Sequence, residues 1–169
     1  MGTQVTLPVS LPIRFSGTFD YDGFYRFIIS WMQKRKLKIF ESPFKWKSSG
    51  PGLIEIEAAI SGEVKIDEYQ KFECKVKWKV IDFKYVDVEI QGQKVKRGYG
   101  RIAIEFGGKI TTDYQDMFGN THLQATLYKI VQKVLQKDTL KNHIEHFKEE
   151  LESFHNEAKT YFASETQFT

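Results

Sequence analysis

Hydrophobic and polar residues alternate near the start of the chain, and the period then changes. The apolar or small positions of the alternation are Ile13, Phe15, Gly17 and Phe19. A period of two predicts a strand, because successive side chains point to opposite faces of a sheet. From Asp20 the apolar spacing becomes helical, which predicts a helix over residues 21–36 with Asp20 or Asp22 capping its start. Residues 1–11, which include Pro8, are expected to form an extended lead-in.

Two stretches in the middle of the chain show strict alternation. Even-numbered residues from 54 to 66 and from 72 to 80 are apolar or small, and most residues between them are charged. We predict two long strands, each with one buried face, joined by a loop at 67–71. That loop length pairs Ile60 with Trp78 on the buried face and Glu63 with Lys75 on the outer face.

Three interruptions divide the strand pattern that follows. The alternation changes phase at Val80–Ile81, which predicts a β-bulge. A turn at residues 91–93 is expected to pair Ile90 with Val95, and a turn at 107–108 is expected to pair Phe106 with Ile110. The region from about residue 53 to 115 is therefore predicted to be an antiparallel meander. Before it, we expect a short strand over 40–46 and a loop over 48–52.

Helical spacing returns after residue 120. One apolar stripe runs from Leu123 to Leu135 and a second from Leu140 to Phe162, with a slip of phase at Asp138–Thr139. This predicts a long C-terminal helical segment with a kink or short break at 138–139 and a frayed tail over 164–169. The whole chain, 1–169, is predicted to be a single α+β domain. Its long-stranded, curved antiparallel sheet carries one N-terminal helix and the kinked C-terminal helical segment.

Composition narrows the class of protein without choosing a partner. The net charge is +3, which is small for a nucleic-acid-binding domain, so nucleic acid is expected to be an unlikely partner. One cysteine, Cys74, cannot form an intramolecular disulfide. Residues 1–14 lack the pattern of a signal peptide, and no apolar run is long enough for a transmembrane helix. These features predict a cytoplasmic protein.

The sequence offers weak candidates for catalysis or metal binding. His143 and His146 have helical spacing, but glutamates and lysines crowd the same polar face, so we predict no metal site. Cys74 lies on the apolar face of a strand and is expected to be a buried hydrophobe rather than a nucleophile. We predict no catalytic residue and no cofactor, and an enzyme is the less favoured class.

The order of elements (strand, helix, long antiparallel meander, long C-terminal helix) resembles the helix-grip fold of the START and Bet v 1-like superfamily. That resemblance implies a curved sheet wrapped around the C-terminal helix, commonly with an apolar ligand cavity between them. The chain departs from the family pattern in having one helix between its first strands instead of two. The segments 19–21, 98–106 and 158–162, with Tyr25 and Trp31, also resemble a group of small prokaryotic proteins of uncharacterised function, which implies no activity.

Three functions follow as hypotheses. The first is a non-catalytic binding domain that holds an apolar small molecule or a protein segment between sheet and C-terminal helix. Its candidate lining residues are Trp31, Ile60, Trp78, Ile104, Tyr114, Leu127 and Val131. The second is a structural protein that oligomerises through the hairpin at 84–101. Its candidate partner-binding residues are Val86, Val88, Ile90, Val95 and Tyr99. The third is a weak nucleic-acid binder.

Overall fold

A computed structural model describes residues 4–7, 12–115, 123, 126–127, 129–130 and 137–166. In that part of the chain seven strands form one sheet. The strands are β1 (Gln4–Leu7), β2 (Ile13–Phe19), β3 (Lys38–Glu41), β4 (Lys45–Gly50), β5 (Leu53–Lys65), β6 (Gln70–Ile90) and β7 (Gln93–Thr112). Helix α1 (Tyr21–Lys34) follows β2, and helix α2 (Lys137–Glu165) follows β7. Residues 123, 126–127 and 129–130 are helical as well.

The sheet is entirely antiparallel and is built around its two longest strands. Its order is β1-β7-β6-β5-β3, with β2 also paired to β7 and β4 also paired to β5. Strands β6 and β7 contain 21 and 20 residues, so each is long enough to pair with several shorter strands along its length. The predicted α+β class and antiparallel sheet are confirmed.

Both helices pack on one face of the sheet, which we call the inner face. The alternating apolar residues of β6 point to this face and are almost completely buried: Phe72, Cys74, Val76, Trp78 and Val80. Trp31 of α1 stacks on Phe154 of α2 with ring centroids 3.9 Å apart. The ring of Phe72 stacks on Phe147 of α2 at 4.1 Å. The helices and the sheet therefore share one aromatic core.

The start of α1 agrees with the sequence prediction. The carboxylate of Asp20 accepts a hydrogen bond from the backbone N–H of Gly23 at 2.9 Å, so Asp20 is the cap and Asp22 lies in the first turn. The helix ends at Lys34, two residues before the predicted end. Lys36 has a positive φ of 57°, which takes the chain out of the helical path.

The predicted register of β5 and β6 is wrong by two residues, although the faces are right. Ile60 lies opposite Val76, and Trp78 lies opposite Ala58. The cause is a shorter turn, in which the Asp67 carboxylate accepts hydrogen bonds from the backbone N–H groups of Tyr69 and Gln70 at 2.7 and 2.6 Å. An aspartate that binds the backbone in this way fixes a tight turn.

The predicted bulge in β6 is confirmed, and the next hairpin is also shifted by two residues. The register of β6 against β7 changes between Ile81 and Lys84, where Asp82 has a φ of 57°. Beyond it, Ile90 pairs with Gln93, not with Val95. The two residues between them, Gln91 and Gly92, have φ of 51° and 79°. Two consecutive positive φ values are typical of the type I′ turn that joins hairpin strands.

Two further expectations about strands and turns are wrong. Gly107 and Gly108 lie inside β7, which runs straight through the predicted turn. A Cβ at Gly108 would lie 2.3 Å from Leu151 Cδ1, so a residue without a side chain is needed where α2 crosses the strand. The expected strand at 40–46 is two strands, β3 and β4. Part of the expected loop at 48–52 is the end of β4.

The described residues of both terminal segments have regular secondary structure. Residues Gln4–Leu7 of the expected lead-in form β1, which pairs with β7. Ser164 and Glu165 of the expected frayed tail are helical, and Glu165 is buried. The expected break at 138–139 falls at the first residues of α2, and the preceding residues 131–136 lie outside the described part of the chain.

Candidate functional site

The structure brings four of the seven predicted lining residues together. Trp31, Ile60, Trp78 and Ile104 all lie in the packed core on the inner face. The indole N–H of Trp78 donates a hydrogen bond to the Tyr21 hydroxyl at 3.1 Å. These four residues contact protein atoms of the helices and neighbouring strands, which also explains their burial without a ligand.

The other three predicted lining residues do not join this group. Tyr114 is half-buried beyond the end of β7, and its hydroxyl donates to the backbone carbonyl of Asp67 at 3.2 Å. Leu127 is 53% exposed. Val131 lies outside the described residues.

A small cleft opens between α1, α2 and the turn end of β5 and β6. Its volume is about 240 Å³. Its apolar lining residues are Trp31, Leu37, Val64, Ile66, Phe72 and Phe147. Its polar rim contains Arg35, Lys65, His146 and Glu150.

Trp31 gives this cleft a polar group. The Arg35 guanidinium lies 3.7 Å from the centre of the Trp31 ring and also binds the Glu150 carboxylate. The indole Nε1 of Trp31 is buried and has no hydrogen-bond partner among the described residues. A buried donor without an acceptor is uncommon in folded proteins, because it loses its bond to water without replacement.

The candidates for metal binding and nucleophilic chemistry have other roles in the structure. In the described ranges, no group of three His, Cys, Asp or Glu side chains is arranged to hold a metal ion. A ring nitrogen of His143 lies 2.7 Å from the side-chain oxygen of Gln70. Burial raises the pKa of the Cys74 thiol to about 12. The thiol is therefore protonated at neutral pH and is a poor nucleophile.

The hairpin of β6 and β7 extends past the rest of the sheet. Strand β5 pairs with β6 only as far as Phe83, and β2 pairs with β7 only as far as Gly98. Between Lys84 and Tyr99 the two strands pair with each other. From Phe83 and Gly98 toward the turn at Gln91–Gly92, neither strand has another described strand beside it. We call residues 84–99 the ribbon.

The ribbon has one apolar and one charged face. Alternate residues of one strand lie on the same face, and so do residues that pair directly across two strands. Val88 pairs with Val95, so Val86, Val88 and Ile90 of β6 share a face with Val95 and Tyr99 of β7. These are the five residues predicted from sequence as a partner surface. Val95 and Tyr99 are 38% and 43% exposed, and the three others are half-buried. The opposite face carries the charged pairs Asp87–Lys96 and Glu89–Lys94.

The base of the ribbon is tied to the end of α2. The Arg97 guanidinium binds the Glu165 carboxylate, and only 14% and 8% of the two side chains are exposed. The same carboxylate accepts a hydrogen bond from the backbone N–H of Asp20 at 3.2 Å. Sequence reasoning missed this cluster, because Glu165 lies in the expected frayed tail and is 68 residues from Arg97.

The face of the sheet opposite the helices, which we call the outer face, is rich in charge. The apolar face of the ribbon is continuous with the outer face. Odd-numbered residues of β7 lie on the same face without interruption from Arg97 to Lys109, and Tyr99 pairs with Thr18 of β2. Its cationic residues are Arg14, Lys38, Lys45, Lys47, Lys65, Lys71, Lys75, Lys77, Lys79, Arg101 and Lys109. Its acidic residues are Glu55, Glu57, Glu63, Glu73 and Glu105, with Asp82 of the bulge bound to Arg101.

No protein-family model matches the chain, and no curated protein or solved structure matches it either. In the described part of the chain, no helix combines the length and the apolar character that crossing a membrane requires. The candidate surfaces of the molecule are the cleft, the ribbon and the outer face.

Proposed function

We propose that this chain is a non-catalytic binding protein that associates with a second copy of itself through the ribbon. One observation carries the proposal. Beyond Phe83 and Gly98, toward its tip, the ribbon has no other described strand on either side. It still keeps Val86, Val88, Ile90 and Val95 on one apolar face, which continues to Tyr99. Exposed apolar strand surface is usually covered by a partner, because burial removes it from water.

The charge pattern favours a second copy over a partner of complementary charge. Between Lys84 and Tyr99 the apolar face carries no acidic residue, and its two cations lie at its base. Arg97 is bound to Glu165, and Nζ of Lys84 lies 5.5 Å from the centre of the Tyr99 ring. The acidic residues of the ribbon lie on the other face, where they form the cross-strand pairs Asp87–Lys96 and Glu89–Lys94. A largely uncharged apolar surface is complementary to itself, and homodimer interfaces are more apolar than other interfaces.

Among the described residues, both strand edges of the ribbon are open from Phe83 and Gly98 toward its tip. Unpaired backbone N–H and C=O groups along an edge can pair with another strand. Two ribbons could thus combine backbone hydrogen bonds with contact between apolar faces. A stable interface typically buries about 800 Å² from each partner. Five side chains supply less than that, so we expect a weak dimer that depends on protein concentration.

Sedimentation velocity over a range of concentrations tests the proposal. V88K/I90K places two positive charges on the apolar face, and this variant is expected to remain monomeric where the unmodified chain dimerises. D87N/E89Q is the matched control, because it makes the same change in net charge on the charged face of the same strand. It is expected to dimerise like the unmodified chain.

Two results would overturn this function. One is an unmodified chain that stays monomeric at the highest concentration reached. The other is equal dissociation by V88K/I90K and D87N/E89Q, which would show that charge alone, not the apolar face, controls association. Circular dichroism of both variants distinguishes loss of contact from loss of fold.

A second candidate function is binding of an apolar ligand in the cleft, and it is favoured by the Trp31 indole N–H. That buried donor belongs to Trp31, a residue that lines the apolar cleft. A ligand with an apolar body and a hydrogen-bond acceptor matches this arrangement. At about 240 Å³, the cleft is smaller than most ligand pockets, which start near about 300 Å³.

The fluorescent probe 8-anilinonaphthalene-1-sulfonate tests the cleft. We expect saturable fluorescence that V64F abolishes by filling the cleft and that V86F, a similar change on the ribbon, leaves intact. Native mass spectrometry of gently purified protein is expected to show an adduct. If no adduct and no saturable fluorescence were observed, this candidate would be ruled out.

A further inference from the structure

We propose that the outer face of the sheet binds single-stranded nucleic acid, a function separate from association through the ribbon. The first support is the separation of charge. Eleven cationic and six acidic side chains give this face a net charge of +5, whereas the whole chain carries +3. The rest of the molecule is therefore net negative. A small total charge conceals a concentrated basic surface of the kind that attracts polyanions.

The second support is the spacing of the lysines on β6. Lys75, Lys77 and Lys79 point outward at alternate positions of one strand. Alternate residues of a strand lie about 6.7 Å apart. A regular line of ammonium groups suits a polymer with a phosphate at every repeat.

Two of these lysines are free to take a phosphate. Lys79 binds Glu55 and Glu57 at 2.6 and 3.1 Å. Lys75 and Lys77 form no ion pair with any described residue, although Glu105 lies directly opposite Lys77. Arg14, which pairs with Ala103 on the far side of Lys79, also forms no ion pair with any described residue. Free cations contribute most to polyanion binding, because they release condensed counterions without first breaking a protein ion pair.

The third support is a groove that runs across the outer face. It consists of two depressions of about 550 and 340 Å³, which share Lys77 and Glu105. Small residues form its floor at Ala59, Ala103 and Gly107. The carboxylate of Glu105 on β7 would repel a phosphate group. We therefore place the phosphate backbone of the ligand along the lysines of β6.

Phe40 supplies an aromatic surface beside this groove. It is 43% exposed and pairs with Ser61, whose other neighbour across the sheet is Lys75. Base stacking on an exposed ring is tolerant of sequence, because every base has a π face. A groove with lysines along it and a ring at its side fits a flexible strand better than a flat membrane surface.

The test is fluorescence anisotropy with a labelled oligodeoxythymidine strand at low and moderate salt. K75Q/K77Q removes the two free lysines, and K94Q/K96Q removes two lysines from the charged face of the ribbon as a matched control. We expect K75Q/K77Q to weaken binding by about tenfold or more at low salt. Because each phosphate contact on a single strand contributes about 0.7 to the salt dependence, the slope of log K against log salt should fall by about 1.4.

Three outcomes overturn the proposal. The first is that the unmodified chain does not bind the strand at low salt. The second is that K75Q/K77Q binds as tightly and with the same slope as K94Q/K96Q. The third outcome comes from sedimentation with vesicles that contain phosphatidylserine. If the chain binds these vesicles and not the oligonucleotide, the outer face is a membrane surface instead. F40A, which keeps every charge, checks the stacking contact and is expected to weaken binding with an unchanged slope.

Discussion

The guanidinium of Arg97, at the base of the ribbon, binds the carboxylate of Glu165, the last residue of α2. A carboxylate at the C-terminal end of a helix is unfavourable by itself, because the helix dipole is negative there. Here the Asp20 N–H and Arg97 offset that cost by donating to it. The contact joins the ribbon, the start of α1 and the end of α2, so it sets where the ribbon leaves the sheet.

We expect E165Q to lower the free energy of unfolding by about 2 kcal/mol, because a hydrogen bond between charged groups in a nearly buried site is weakened. Urea unfolding monitored by tryptophan fluorescence measures this loss. The double variant R97M/E165L replaces the pair with apolar side chains and should recover part of it, since burying an ion pair is itself costly. An E165Q protein as stable as the unmodified chain would contradict the role given to this pair.

Substitution by alanine is expected to change the stability of the protein in opposite directions at two adjacent glycines of β7, Gly107 and Gly108. A Cβ at Gly108 would lie 2.3 Å from Leu151 and 3.3 Å from Phe72, whereas the nearest atom at Gly107 is 4.0 Å away. G108A should therefore lower stability by about 1–3 kcal/mol through overpacking. G107A should be neutral or stabilising by about 0.5 kcal/mol, because alanine loses less backbone entropy. Thermal melting of both variants checks the pair, and equal effects would contradict the packing of α2 against Gly108.

The turn between β5 and β6 depends on one carboxylate. D67A removes the acceptor for the Tyr69 and Gln70 N–H groups and should lower the free energy of unfolding by about 1–2 kcal/mol. D67N keeps a side-chain oxygen in the same position and should lose less. Chemical denaturation distinguishes the two variants. Equal losses would mean that the charge of Asp67, not its hydrogen bonds, stabilises the turn.

The same turn shows why the sequence predicts faces better than register. Alternation repeats every two residues, so a slip of two leaves every apolar side chain on the inner face. Opposite charges at Glu63 and Lys75 favoured the wrong register, and surface charge pairs are too weak to decide it. In the structure Glu63 lies opposite Glu73, and each binds a different lysine, Lys71 and Lys109.

Other features depend on contacts that are distant in sequence. The pair of glycines at 107–108 is typical of a turn, and the approach of Leu151 explains why Gly108 stands within a strand. Val86, Val88, Ile90, Val95 and Tyr99 do share one face of the ribbon, and their role as a partner surface stays a prediction. The charge of the outer face was not predicted, since it appears only when β2, β6 and β7 lie side by side.

Alkaline pH should destabilise the protein through Cys74. Burial raises the pKa of this thiol from an ordinary value of 9.0 to about 12. Its contribution is fully present below pH 9 and is lost as pH rises toward 12, because only the unfolded chain releases the proton in that window. Between pH 9 and pH 10 the free energy of unfolding should fall by about 1 kcal/mol more in the unmodified chain than in C74V. Urea unfolding at both pH values measures this, and equal slopes in the two proteins would contradict it.

Association through the ribbon is the central claim, and hydrogen exchange measured at increasing protein concentration tests it most directly. Backbone amides of residues 85–97 should exchange more slowly as concentration rises, because their open strand edges and apolar face become covered. Amides of α1 and of β5 should not change. Ribbon amides that exchange at the same rate at every concentration, or protection that develops on another surface, would contradict the claim.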